Sequence, residues 1–303
     1  MITLFAMPKP FVGHIGMIQR NAIGSWTLLR PRPEIILFGD EEGTGEVARK
    51  LEVRHIPQVK RNSSGTPLLS DFFDSAATQA REALLCYINA DIILRSDFLP
   101  AVKRATVWSG KFLASGQRWD LDVVAPLNFE APDWEVTLLQ KAKAEGFQRP
   151  PNWVDYFVFE REYGRNLPPF AIGRTCWDNW LVWHALDLGL PVVDFSDCVE
   201  VVHQNHDYAH HKTGTAGVWQ GEEARANLRL SGGRRRHSTM LEATHVMRAD
   251  GIRKLDGQRK RHLRRYLAGA KLDVQMTLAE WTRPLRSALG LRKNSASDSL
   301  HLK

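Results

Sequence analysis

Short apolar runs alternate with helix-periodic segments through the first two hundred residues of this chain. Ile2 to Ala6 reads as a strand, and Ile15 to Trp26 as a helix with Ile15, Ile18 and Ala22 on one face. Glu34 to Phe38, after Pro33, is a continuous apolar run of the kind buried in parallel sheets, and it ends in Gly39-Asp40. Gly45 to Leu51 predicts a second helix and Val53 to Ile56 a third strand. After the loop Asn62 to Pro67, a helix over Leu68 to Glu82 runs into the apolar strand Cys86-Tyr87-Ile88, and Asp97 opens a helical segment through Arg104. Strand and helix alternating over short connections imply right-handed crossovers and a parallel sheet.

Beyond Arg104 the pattern predicts strands at Lys111–Gly116, Val123–Ala125 and Asp155–Phe159, with an amphipathic helix over Trp134 to Gly146. Trp177 to Leu188 is an aromatic helix stopped by Gly189 and Pro191. Pro191–Asp194 and Val199–His203 are the last strands, and from Gly221 onward the chain reads as helices of falling hydrophobicity. The expected architecture is a Rossmann-like, mostly parallel α/β sheet flanked by helices over residues 1–230, with a basic helical extension over 231–303.

The charge supports that division. The formal charge is +7, yet the segment from Ser231 carries 17 Lys or Arg against 6 Asp or Glu, a balance of +11, leaving −4 for the rest. A slightly acidic main region argues against a nucleic-acid enzyme, whose groove would be basic. No apolar run reaches the roughly 18–20 residues of a membrane span. The chain starts directly on a strand without a basic leader, and three cysteines (Cys86, Cys176, Cys198) lack metal spacing. A reduced, cytoplasmic enzyme is expected.

Candidate chemistry begins at Cys86-Tyr87-Ile88-Asn89-Ala90-Asp91. A carboxylate at the carboxyl end of a central strand lies where α/β sheets bind ligands, and with a polar residue two positions earlier it can hold a divalent cation. Asp40 ends another strand, Asp178 opens the aromatic helix, and His203 ends a late strand. Each has a plainer reading: Asp40 as a turn cap, Asp91 and Asp178 as helix N-caps.

In this order and spacing, Asp40, Asn89 with Asp91, Asp178 and His203 resemble the GT-A nucleotide-sugar glycosyltransferases, family 2 in particular, over roughly Ile2 to Tyr208. The resemblance implies Mn²⁺ or Mg²⁺ on Asp91 and His203 and a nucleotide-sugar donor, a UDP-sugar, at Asp40, Asn89 and Asp91. It also implies that Asp178 is the base that deprotonates a hydroxyl acceptor in an inverting transfer. The chain departs from the family in having Asn89 for the first Asp of Asp-x-Asp, and Trp177-Asp178-Asn179 where paired acids are common.

Lys60 and Arg61 are candidate partners of the donor phosphates. A helix N-terminus predicts a low pKa for Asp178. Asp120, in the second Asp-x-Asp at Asp120-Leu121-Asp122, and Asp155 are candidate acceptor-side groups. Of Trp177, Trp180 and Trp183, mostly core by spacing, Trp177 is the candidate sugar-stacking wall. The cluster His203, His206, His210 and His211 suggests a metallohydrolase, but that class needs three or more ligands on rigid elements, and the later histidines fall in a Gly-rich, loop-like stretch through Gly217. The tail, with Arg234-Arg235-Arg236 and Arg259 to Arg265 beside Leu263, Tyr266 and Leu267, is either a solvated face or a helix resting on anionic lipid. The latter suits a glycan or lipid-linked acceptor and peripheral contact at the inner face of the membrane. A non-catalytic transferase-like binding or scaffold domain and a sugar nucleotidyltransferase are the alternatives; the second wants a Gly-rich basic loop after the first strand, where Met7 to Gly16 offers only Lys9.

Overall fold

The computed structural model describes residues 1–206, 219 and 221–288. In chain order the elements are β1 (Ile2–Ala6), α1 (Gly13–Leu28), β2 (Glu34–Phe38), α2 (Thr44–Lys50), β3 (Arg54–Ile56), α3 (Leu69–Gln79), β4 (Leu84–Ile88) and β5 (Ile92–Ile93). They continue as α4 (Phe98–Trp108), β6 (Leu113–Ser115), β7 (Arg118–Leu121), α5 (Trp134–Glu145), β8 (Phe147–Gln148), β9 (Tyr156–Glu160), α6 (Trp177–Asp187), β10 (Val192–Asp194) and β11 (Val201–Gln204). Last come α7 (Glu222–Leu230), β12 (His245–Arg248), β13 (Gly251–Lys254) and α8 (Gln258–Ala288).

Nine strands form the main sheet in the order β13-β12-β10-β6-β9-β4-β1-β2-β3. It is mostly parallel, with β9 antiparallel to β4 and β6, and β13 antiparallel to β12. The side-chain alternation of these strands feeds two cores, one on each face. Leu4, Leu37 and Cys86 pack with Trp26 of α1 and Phe98 of α4. Phe5, Phe38 and Tyr87 pack with Phe72 and Phe73 of α3 and with α6. This is the two-sided burial that continuous apolar strands require.

A smaller sheet, β5-β11-β7-β8, leaves the main one directly after Asp91. Its central strand β11 pairs antiparallel with β5 and parallel with β7, in a register that sets His203 opposite both Ile92 and Asp120. Gln204, wholly buried, locks this sheet to α1: its amide donates to the Ile18 and Asp91 carbonyls (2.7 and 3.2 Å) and accepts from Asn21 (3.0 Å).

Two expected elements differ. Val123–Ala125 is not a strand; the strand is Arg118–Leu121, whose buried charged residues Arg118 and Asp120 hide the apolar signal of an interior segment. The stretch after Ser231, expected to be helical throughout, contributes the hairpin β12–β13, and β12 pairs parallel with β10. The two-residue turn Ala249-Asp250 joins the strands, and Gly251 at φ +141 opens β13 opposite Arg248. The main sheet therefore continues past residue 230. Helix α8 packs on the turn at Arg234–Arg236, where Asp273 accepts from the Arg234 N–H (2.8 Å). None of the described helices is long and apolar enough to cross a membrane.

Candidate metal and donor site

The carboxyl ends of β1, β2, β3 and β4 share one edge of the main sheet, and antiparallel β9 starts there. The Asn89 N–H donates to the Asp155 carbonyl (2.9 Å), which brings Asn89, Asp91 and Asp155 to the same corner. The second sheet then delivers the histidines. Donor atoms of Asp91, His203 and His206 lie within 4.8 Å of one another. Nε2 of His206 is 3.1 Å and Nε2 of His203 is 3.8 Å from Oδ2 of Asp91.

The other Asp91 oxygen, Oδ1, is buried without a hydrogen-bond partner among the described residues. An orphaned carboxylate oxygen costs free energy unless a cation or donor meets it. Burial alone would push the Asp91 carboxyl up; His203, His206 and Lys9 outweigh it and hold the group well below the ordinary carboxylate range. Two imidazoles and a carboxylate around an unmet oxygen fit a divalent cation with positions left open for a ligand. The nitrogen donors suit Mn²⁺ better than Mg²⁺, which favours all-oxygen shells.

His206, two residues past the end of β11, lies in a loop as expected, yet it joins the cluster. Asn205 holds it: its N–H donates to the Leu121 carbonyl (2.9 Å) and its amide to Asp122 (2.7 Å). These partners are more than eighty residues away in sequence, so only the His-x-x-His spacing at a strand end was visible. His210 and His211 lie outside the described residues.

Asp120, expected on the acceptor side, sits behind His203 and is 4% exposed. Its Oδ1 is 3.2 Å from His203 Nδ1, which makes no hydrogen bond among the described residues. A carboxylate behind the ring at this distance can orient it, with Nε2 on the side of Asp91. Arg118 and Arg149 donate to Asp120 (2.8 and 2.5 Å). Arg118 also pairs with Asp155, whose second oxygen accepts from Asn89 (2.7 Å). Asp155 is therefore consumed in a buried network rather than open to an acceptor.

Asn89 also departs from its expected role. Its amide donates to Asp155 and its carbonyl accepts from the Tyr87 hydroxyl (2.5 Å), so the side chain turns into the protein. Trp177 is core: 7% exposed, it meets Tyr87 edge-on at 5.2 Å and lies 6.2 Å from Phe157. Trp180 stacks on His184 and Trp183 lies under Arg236, so these indoles build no sugar wall.

Asp178 is in the first turn of α6 but does not cap it; Cys176, at φ +91, is the residue before the helix. Contrary to the low pKa expected at a helix start, burial first and the Asp155 charge next raise the carboxyl to about 6, against one N–H from Asn179 (2.9 Å). Burial, and then the charges of Asp155, Asp91 and Asp178, also push the Tyr87 phenol well up, which marks these three carboxylates as gathered around it.

Asp40, Lys60 and Arg61 come together as a separate cleft of about 680 Å³, with Val59, Asp71 and Ser75. Arg61 pairs with Asp40 (2.7 Å) and Glu41 (3.0 Å), and lowers the Asp40 carboxyl. Lys60 is 3.5 Å from Asp71. A second cleft of about 630 Å³, between the start of α1 (Val12, His14, Ile15) and Asp122, Asn205 and His206, opens on the metal cluster.

No protein-family model and no curated protein matches the chain. Among solved structures the chain is similar to glucosyl-3-phosphoglycerate synthase from Mycobacterium tuberculosis with Mn²⁺, UDP and phosphoglyceric acid, at 15% identity and a TM-score of 0.46 over 76% of this chain and 78% of that one. The same synthase with Mg²⁺ and UDP stands at 14% and 0.45, over 76% and 79%. A mannosyltransferase from Pyrobaculum calidifontis in complex with GDP-Man and Mn²⁺ stands at 14% and 0.41, over 67% and 56%.

Proposed function

We propose that this chain is a metal-dependent glycosyltransferase that moves a sugar from a nucleotide-diphosphate sugar, a UDP-sugar, to a hydroxyl of a glycan or lipid-linked acceptor with inversion. The observation that carries the reading is the buried, unpartnered Oδ1 of Asp91 beside His203 and His206 at the ligand-binding edge of the sheet. A divalent cation held there supplies Lewis-acid neutralisation of a diphosphate leaving group. Asp120 keeps the His203 ring oriented for that task. The cleft of Asp40, Lys60 and Arg61, at the ends of β2 and β3, takes the nucleoside. Asp178 takes the acceptor proton as the acceptor oxygen bonds to the anomeric carbon and the bond from that carbon to the diphosphate breaks. A carboxyl with a pKa near 6 is better matched to that task at neutral pH than one in the ordinary range.

The tail belongs to the same proposal as a surface contact. On α8, Leu263, Leu267 and Val274 are exposed along one stripe, flanked by Lys260, Arg264 and Lys271. That pattern suits a helix lying on anionic lipid, near a lipid-linked acceptor.

Asp91→Ala should abolish Mn²⁺-dependent UDP binding in calorimetry while circular dichroism stays native. Unchanged binding would remove Asp91 from the metal site and with it the reading.

Turnover should rise with pH on a limb centred near 6, as the Asp178 carboxyl ionises. Asp178→Asn should lose that limb and about 10²-fold or more in rate. The folded carboxyl keeps its proton above the pKa of 3.8 at which the unfolded one releases it, so its ionisation costs stability as pH rises from about 4 through 6. Asp178→Asn should flatten that slope in thermal melts. A variant with wild-type rate and limb would exclude Asp178 as the base.

Full-length protein should co-sediment with anionic vesicles at low salt and be released as salt rises, each basic residue near the surface contributing about 1 kcal/mol. Indifference to such vesicles at low salt would leave the basic helix a solvated face.

A further inference from the structure

Lys9 enters the site described so far only through its charge on Asp91, yet its surroundings are built to place it. It lies in the loop after β1 between Pro8 and Pro10, and its backbone is clamped twice by the buried side chain of Gln19. The Lys9 N–H donates to Gln19 Oε1 (2.6 Å) and Gln19 Nε2 donates to the Lys9 carbonyl (2.8 Å). The ammonium reaches the metal cluster, where Nζ is 3.4 Å from Nε2 of His206, the atom that also faces Asp91.

Charge arithmetic gives this placement a purpose. One carboxylate and two neutral imidazoles leave a bound dication with a single net positive charge. The neighbouring carboxylates Asp120 and Asp155 are already matched by Arg118 and Arg149. A nucleoside diphosphate leaves as a trianion, so one net charge does not balance it. A lysine on a fixed loop beside the ligands supplies the next one, as a point charge suited to phosphate oxygen.

We propose that Lys9 is the counter-charge to the diphosphate of the nucleotide. Its ammonium lies beside Nε2 of His206, within reach of a diphosphate oxygen held by a cation at Asp91. The inference rests on the nucleotide-sugar reading above and deepens it. It also sets two opposite effects of one side chain: Lys9 repels a cation binding alone and attracts the nucleotide that follows. A residue that merely shapes the loop would not oppose the two.

The test is calorimetry on the full chain, titrating Mn²⁺ alone and then UDP at saturating Mn²⁺, in wild type, Lys9→Met and Lys9→Arg. Lys9→Met should bind Mn²⁺ alone as tightly as wild type or up to roughly fivefold tighter, from relief of a like charge a few ångströms away. It should bind UDP at least about tenfold more weakly. Lys9→Arg should keep UDP affinity within a few-fold of wild type. Unchanged UDP affinity in Lys9→Met overturns the proposal, and so does a parallel loss of Mn²⁺ and UDP affinity, which would mark a structural loop residue. Failure of the wild-type protein to bind UDP with Mn²⁺ would instead overturn the nucleotide-sugar reading itself, and this inference with it.

Discussion

Four carboxylates, Asp91, Asp120, Asp155 and Asp178, share one partly dehydrated corner, and the guanidinium of Arg118 makes that arrangement tenable. Arg118 is 6% exposed and bridges Asp155, at the start of a main-sheet strand, to Asp120 in the second sheet. It therefore joins the two sheets as well as balancing charge. Arg149 shares the Asp120 carboxylate from the rim, and both guanidinium groups lie over the Trp153 ring. Removing one partner of such a buried pair typically costs about 3–5 kcal/mol, because the other charge is left without compensation. With Asp120 and Asp155 satisfied in this way, Asp91 keeps a buried oxygen unmet and Asp178 is raised toward neutrality.

The same electrostatics explains Asn89. Its amide donates to Asp155 over 2.7 Å. An aspartate at that position would set two carboxylates against each other unless one held a proton. The departure from Asp-x-Asp thus follows from Asp155 having taken the neighbouring space. Beside Asp91 the candidate cation site instead has two histidines, on and just after a strand of the second sheet.

Much of the scaffold was legible in the sequence because local pattern and tertiary burial agree there. Ile2–Ala6 and Glu34–Phe38 are strands at the expected bounds, buried on both faces as their unbroken apolar runs require. The strand Arg118–Leu121 was not legible, since its burial depends on ion pairs with residues far along the chain. Asp91 and His203 stand together across the two sheets, and His206 joins them through Asn205, whose partners no local periodicity reports. Asp120, Asp155 and Trp177 were recognised as notable residues but assigned to the acceptor. Sequence spacing shows that a carboxylate is near a strand end; it does not show whether an arginine already holds it.

The central claim is that Asp91, His203 and His206 form one cation site, and the most direct measurement is pulsed electron paramagnetic resonance of Mn²⁺ bound to the full-length protein. The account predicts nitrogen couplings from two imidazoles, reduced to one in His206→Ala and likewise in His203→Ala, with circular dichroism native throughout. Bound Mn²⁺ without imidazole nitrogen, or with couplings unaffected by His206→Ala, would contradict it.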